Sequence, residues 1–225
     1  MTHPYMNSSV DSAEKISKQA GYTEEDKVKL ALESTRAELL ETLKSIKSEA
    51  RILDIGCGPG QFLQLMPEEA DLHGIDISEA MIREANKNVP NAQYQVGDFL
   101  KLDFQKESFD LIYCIGAIIY FTKSEMKDVL LKIDSLLKPG ATALISYPHA
   151  ISKMDLWYND YTYVQYSPKM LEKLLPKQLE VISHHHSVSK EKIVDYDRKA
   201  FIDPNKYKGR NYFNSSILTL KKKID

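Results

Sequence analysis

Two hydrophobic rhythms divide the chain. From about Glu24, the residues Val28, Leu30, Leu32, Leu39, Leu40, Leu43 and Ile46 recur at helix-compatible spacings among Lys and Glu, which predicts an amphipathic N-terminal helix. From Arg51 the pattern changes to short apolar runs separated by helix-like stretches, as expected of repeated βαβ units around a parallel sheet. Strands are expected at Arg51–Ile55, Leu72–Ile75, Ala92–Val96, Phe109–Ile115 and Thr142–Tyr147, and helices at Gln61–Met66, Glu79–Asn88 and Ser124–Leu137. Ser78 stands ready to cap the second of these helices, and Lys138-Pro139-Gly140 reads as a helix stop followed by a turn. After Tyr147 a tyrosine-rich stretch leads to a helix starting near Ser167-Pro168. Late strands follow at Leu179–Val188 and Ser215–Lys221, joined by the charged, aromatic stretch Lys190–Phe213.

Composition narrows the class. A chain of 225 residues fits one domain, and 43% hydrophobic with 28% charged residues is an ordinary globular balance that excludes disordered, collagen-like and disulfide-scaffold readings. The net charge of −2 supplies no global field for a polyanion, so a nucleic-acid partner is unlikely from charge and a small ligand is favoured. Cys57 and Cys114 are the only thiols, too few for a disulfide framework or a four-thiolate zinc site, and a reducing cytoplasm is the expected compartment. Met1 to Ser12 is polar, without the layout of a signal peptide. The longest apolar run, Leu111–Phe121, falls short of the roughly 20 residues that span a bilayer, so no membrane partner is expected.

The chemistry gathers in Ile52-Leu53-Asp54-Ile55-Gly56-Cys57-Gly58-Pro59-Gly60, an apolar strand carrying an acid and running into a GxGxG loop. Such glycines let a backbone turn sharply and touch a ligand, although a tight turn alone would also account for Gly58-Pro59-Gly60. Asp76, 16 residues after Gly60, ends the second strand near the offset of roughly 20 residues at which an acid meets ribose hydroxyls. Asp98 ends the third strand in Val96-Gly97-Asp98-Phe99, so Asp54, Asp76 and Asp98 are expected together at the carboxyl edge of the sheet, where open α/β sheets bind ligands. An acid just before the glycines would repel the pyrophosphate of a dinucleotide. It suits S-adenosylmethionine, which has no phosphate and carries a cationic sulfonium and α-ammonium. In this reading Gly56, Cys57, Gly58 and Gly60 run along the methionine and ribose, and Asp54 sits near the amino end. Asp76 takes the ribose diol, Gly97 and Asp98 lie near the adenine N6, and Ile77, Met81 and Phe99 sandwich the ring, with helix core as the alternative for Met81.

Ile52–Gly60, Gly74–Ser78, Gly97–Phe99, Phe109–Phe121 and Leu137–Tyr147 occur in an order and spacing that resembles the class I S-adenosylmethionine-dependent methyltransferases, over about Arg51 to Pro148. The resemblance implies a Rossmann-like seven-stranded α/β sheet, order 3-2-1-4-5-7-6 with the last strand antiparallel and helices on both faces. It implies the same cofactor roles for Asp54, Gly56, Asp76 and Asp98, and S-adenosylhomocysteine as product. The nearest style is that of small-molecule methyltransferases of ubiquinone and natural-product biosynthesis. One domain over 1–225 is expected, with 1–50 as a helical cap and 148–167 and 189–213 as acceptor-side insertions, in a monomer or homodimer.

The fourth strand should bring Cys114 to Ala117 beside the sulfonium. Families that methylate adenine in nucleic acid carry (N/D)PP(Y/F) here; this chain reads Ile115-Gly116-Ala117-Ile118. The acidic metal ligand of catechol methyltransferases is also missing, so no metal is expected. His149 is the candidate general base and Tyr120 a second candidate facing the acceptor; a surface histidine and a packed tyrosine are the plain alternatives. Trp157, Tyr158 and Tyr161 are candidates for an acceptor wall, with Tyr22 in the lid, although Tyr161 and Tyr163 also fit a surface strand. His184-His185-His186 cannot put three ligands on one strand face, and Lys221-Lys222-Lys223 reads as a solubilising end. RNA methylation, a nicotinamide-dependent oxidoreductase on a similar sheet and a non-catalytic cofactor-binding module stand as rival readings.

Overall fold

The computed structural model describes residues 27–122, 124–148, 156–158, 161–163, 168–186 and 215–224. In chain order the regular elements are α1 (Lys27–Leu43), β1 (Arg51–Ile55), β2 (Asp71–Asp76), α2 (Glu79–Asn88), β3 (Gln93–Val96), β4 (Phe109–Cys114), α3 (Met126–Leu136) and β5 (Leu137–Pro148). They continue with β6 (Leu156–Tyr158), β7 (Tyr161–Tyr163), α4 (Pro168–Leu174), β8 (Leu179–His186) and β9 (Ser215–Lys222). Seven strands form one sheet in the order β3-β2-β1-β4-β5-β9-β8, which is 3-2-1-4-5-7-6 when only its own strands are counted. β1 to β5 pair in parallel, and β9 runs antiparallel to both β5 and β8. β6 and β7 form a separate antiparallel hairpin. Among the described residues no helix is long and apolar enough to cross a membrane.

A parallel sheet has to be covered on both faces, and the strands supply apolar side chains to each. Leu53, Ile55, Ile112, Ala143 and Ile145 pack on one face with Val129 and Ile133 of α3 and Leu171 of α4. Ile52, Leu111, Tyr113 and Leu144 pack on the other with Leu39 of α1 and Ala85 of α2. Successive residues of a strand point to opposite faces, so Asp54, between Leu53 and Ile55, shares the face of Ile52 and Tyr113.

Three sequence expectations shift. Gln61–Met66 yields only a turn of 3₁₀ helix at Leu63–Leu65, because a stretch bounded by the glycine loop and Pro67 is too short to repay helix nucleation. Lys138-Pro139-Gly140 does turn, with Gly140 at φ +78°, but inside β5: the pairing jumps from Phe109 with Leu137 to Leu111 with Thr142. Leu40, assigned to the apolar stripe of the first helix, is exposed, whereas Leu39 is buried.

Candidate functional site

The loop after β1 is tied to β2 before any ligand is considered. The amides of Gly56 and Cys57 both donate to the carbonyl of Ile75, at 2.8 and 2.9 Å, and Gly60 N donates to Cys57 O at 3.0 Å. Gly56 adopts φ +73°, and a Cβ built there would lie 2.2 Å from the Cβ of Ala117, in the loop after β4. Its glycine is therefore required by the protein's own packing. Gly58 differs: at φ +52° it also needs glycine, yet a Cβ there would meet nothing within 4 Å. Gly116, after β4, likewise faces open space, and its amide donates to Ser146 Oγ at 2.9 Å. The loops after β1 and β4, which touch at Gly56 and Ala117, thus each leave room beside a glycine among the described residues.

The three predicted acids meet at that edge in three different states. Asp76 Oδ2 accepts from Gly58 N at 2.9 Å and Oδ1 accepts from Ser78 N at 2.8 Å, so one carboxylate joins the glycine loop to the start of α2. Asp98 Oδ1 accepts from Leu100 N at 3.0 Å, and Lys101 Nζ lies 3.2 Å from Oδ2. Asp54 is only 2% exposed. It stands in register with Tyr113 of β4, yet neither Asp54 Oδ2 nor the Tyr113 hydroxyl has a hydrogen-bond partner. Burial holds the Asp54 carboxyl well above the usual carboxylate range; the nearby Tyr113 hydroxyl works the other way, and the Asp76 charge raises it further.

The remaining candidates spread outward from this centre. Ile77 and Met81 are half-buried beside Asp76, and Met81 N donates to the Ser78 cap at 3.4 Å. Gly97 N donates to Asp76 O at 2.9 Å. Phe99 is 3% exposed and packs in the core with Lys132 Nζ 5.1 Å from its ring centre, which leaves little ring surface for a ligand. Cys57 and Cys114 are buried, and burial pushes both thiols upward, so they stay protonated. Tyr120 is 36% exposed at the end of a 3₁₀ turn that starts beside Gly116. Trp157 and Tyr158 lie on β6, and Tyr158 pairs across the hairpin with Tyr161 of β7. Tyr22 and His149 lie outside the described residues. His184 Nε2 sits 2.6 Å from the Tyr147 hydroxyl, within the sheet's outer strands. Tyr113 and Ser146 stand beside this edge and were not sequence candidates, whereas Gly116 lies in the Cys114–Ala117 segment expected there; the alternation of β4 against β1 was the available signal for Tyr113.

A 3-2-1-4-5-7-6 sheet with a glycine loop and carboxyls at its carboxyl edge is a Rossmann-like arrangement, the fold of solved S-adenosylmethionine-dependent methyltransferase structures. Residues 52–140 match the family described as "Methyltransferase domain". The chain's similarity to trans-aconitate 2-methyltransferase of Variovorax paradoxus is 31% identity over 102 residues, 44% of this chain and 39% of that protein. The chain spans about half the length of the curated relatives it matches, or less. Two solved structures share the fold. One is a SAM-dependent methyltransferase from Methanosarcina mazei, with TM-score 0.63 and 17% identity over 81% of this chain and 96% of that one. The other is the [4+2]-cyclase SpnF, with TM-score 0.62 and 17% identity over 80% of this chain and 78% of that one.

Proposed function

We propose that the protein transfers a methyl group from S-adenosylmethionine to an oxygen or nitrogen of a small-molecule acceptor. One observation carries the reading: beside Gly58, where a Cβ would meet no described atom within 4 Å, stand the Asp76 carboxylate, which accepts from Gly58 N, and the buried Asp54 carboxyl, whose Oδ2 has no hydrogen-bond partner. That setting suits a cationic ligand without phosphate and disfavours a pyrophosphate. The residues present fit such a cofactor. The Asp76 carboxylate would hold the ribose hydroxyls, Gly58 lets the backbone come close, and Asp98 with Ile77 and Met81 would border the adenine. When bound, the cofactor supplies an electrophilic methyl group on its sulfonium.

What the chain contributes is alignment and exclusion of water, which can supply most of the rate for an in-line displacement. Gly116, fixed through its amide by Ser146, leaves room on the acceptor side of the site. Tyr120 would face the acceptor, Trp157, Tyr158, Tyr161 and Tyr22 would wall it, and His149 would remove its proton where one must leave. The relative that acts on trans-aconitate supports a small acceptor. No metal is assigned to this chemistry.

Because the fold is shared with a cyclase, binding and turnover require separate tests. In a melting assay S-adenosylhomocysteine is expected to raise Tm and NAD to leave it unchanged; the reverse refutes the cofactor assignment. With tritiated methyl donor, label is expected in small molecules of a metabolite extract. Cofactor binding without label transfer into any extract supports a binding module instead, and label appearing in RNA moves the acceptor class.

A further inference from the structure

We propose that Asp54 carries a proton in the ligand-free protein and releases it to solvent when the α-ammonium of the cofactor settles above the glycine loop, so that cofactor binding is coupled to proton release. The inference rests on the cofactor reading above and concerns a property that reading does not require.

The geometry around the carboxyl is one-sided. Asp54 is 2% exposed, and its Oδ2 has no hydrogen-bond partner. The titratable groups that act on it or feel it come from four elements: Asp76 from β2, Cys57 from the loop, Tyr94 from β3, and Tyr113 and Cys114 from β4. None of these is a cation. Burial also pushes both thiols and both phenols upward, Tyr94 to about 12, so none of them is an anion near neutral pH, and among the described residues it is the Asp76 charge that opposes ionisation. A buried carboxylate with an unsatisfied oxygen, no counter-ion among the described residues and a second carboxylate nearby is unfavourable, and the group escapes by keeping its proton.

A ligand ammonium changes the balance. It supplies the missing counter-charge in a setting of low dielectric, where an ion pair is strong once both partners are desolvated together. The carboxyl O–H bond breaks, the proton passes to buffer, and the carboxylate left behind faces the ammonium. No electron is transferred and no co-reactant is needed. By linkage, cofactor affinity then rises with pH, by up to about tenfold per pH unit below the Asp54 pKa of the ligand-free protein. S-adenosylhomocysteine carries the same ammonium and serves as the probe.

The test is calorimetric titration of the full chain with S-adenosylhomocysteine at neutral pH in phosphate and in Tris, whose ionisation heats differ. The wild type is expected to release protons on binding, read as a heat that differs between the two buffers, and Asp54→Asn to release almost none. Binding with no dependence on buffer overturns the coupling and leaves the proposed function intact. Failure of both S-adenosylhomocysteine and S-adenosylmethionine to bind overturns the cofactor reading and the coupling with it. Should Asp54→Asn not fold, infrared difference spectra of the wild type decide: loss of a protonated-carboxyl C=O band on ligand addition is expected, and its persistence refutes the inference.

Discussion

Gly56→Ala places a methyl group where the chain has no room for one. The new Cβ would stand 2.2 Å from Ala117 Cβ, with Ala117 Cα at 3.7 Å behind it. Carbon atoms rest about 3.5–4.0 Å apart, so the loop after β1 and the loop after β4 must separate by more than about 1 Å. Ala117 has no side-chain torsion with which to step aside, and overpacking of this kind costs about 1–3 kcal/mol. A left-handed conformation adds roughly 1–2 kcal/mol for a residue with a Cβ, and Gly56 has φ +73°. The expected loss is therefore about 2–5 kcal/mol, read from equilibrium urea unfolding followed by circular dichroism. Adding Ala117→Gly should return the overpacking part and leave the backbone part, a coupling of about 1–3 kcal/mol. Gly58→Ala is the control for the loop: at φ +52° with open space ahead it should lose only the backbone part, while its methyl group intrudes on the cofactor. A Gly56→Ala protein within about 0.5 kcal/mol of wild type, or no rescue by Ala117→Gly, would show that the two loops are not in the contact described.

Three further outcomes follow from the acids and their neighbours. Asp76→Ala should weaken S-adenosylhomocysteine binding by about 1–3 kcal/mol in calorimetry, through loss of charge-assisted hydrogen bonds and of the tie to Gly58 N; unchanged affinity removes Asp76 from the site. Since the Asp54 carboxyl is held above its unfolded value, the folded state keeps that proton longer than the unfolded one. This contribution to stability is fully present below the unfolded pKa and is lost as pH rises through the folded one. Urea midpoints of the ligand-free protein should accordingly fall with pH more steeply in wild type than in Asp54→Asn, and parallel curves refute the assignment. Tyr113→Phe removes a buried hydroxyl that lacks a partner, so stability should hold or rise by up to about 1 kcal/mol; a loss above about 2 kcal/mol would mean the hydroxyl is hydrogen-bonded after all.

How much of this could be read from the sequence depended on the range of the signal. Helix α2 runs from Glu79 to Asn88 as expected, because its start is marked by the Ser78 cap and its end is followed closely by Pro90. The strand order, by contrast, came from the resemblance, since periodicity marks strands without saying which pair. Lys138-Pro139-Gly140 was legible as a turn and illegible as a bulge, because the irregularity exists only relative to Phe109 and Leu111 on another strand. Within the site, Asp76 was readable from its offset to the loop. The reason for Gly56 was not: its constraint is Ala117, a contact closed by the sheet and by nothing nearby in the chain. Tyr113 escaped notice for the same reason, being an unremarkable member of an apolar run until β4 is laid in register against β1.

The distribution of charge along the sheet ties these observations to function. At the amino edge acids are paired: Asp71 Oδ2 lies 3.2 Å from Arg51 Nε, and Asp110 Oδ2 lies 2.6 Å from Lys138 Nζ. At the carboxyl edge the three acids differ: Asp98 lies beside the exposed Lys101, Asp76 accepts from the backbone amides of Gly58 and Ser78, and Asp54 keeps an oxygen without a hydrogen-bond partner. Exposed pairs contribute little to stability, whereas a buried carboxyl without a counter-charge among the described residues is held as the neutral acid, ready to ionise against an added cation. A cationic ligand supplies that charge, and a phosphate would oppose the ionisation. One sequence signal, an acid at the end of each of three neighbouring strands, therefore resolves into three physical states, and it is the least satisfied of them that points to the charge of the ligand.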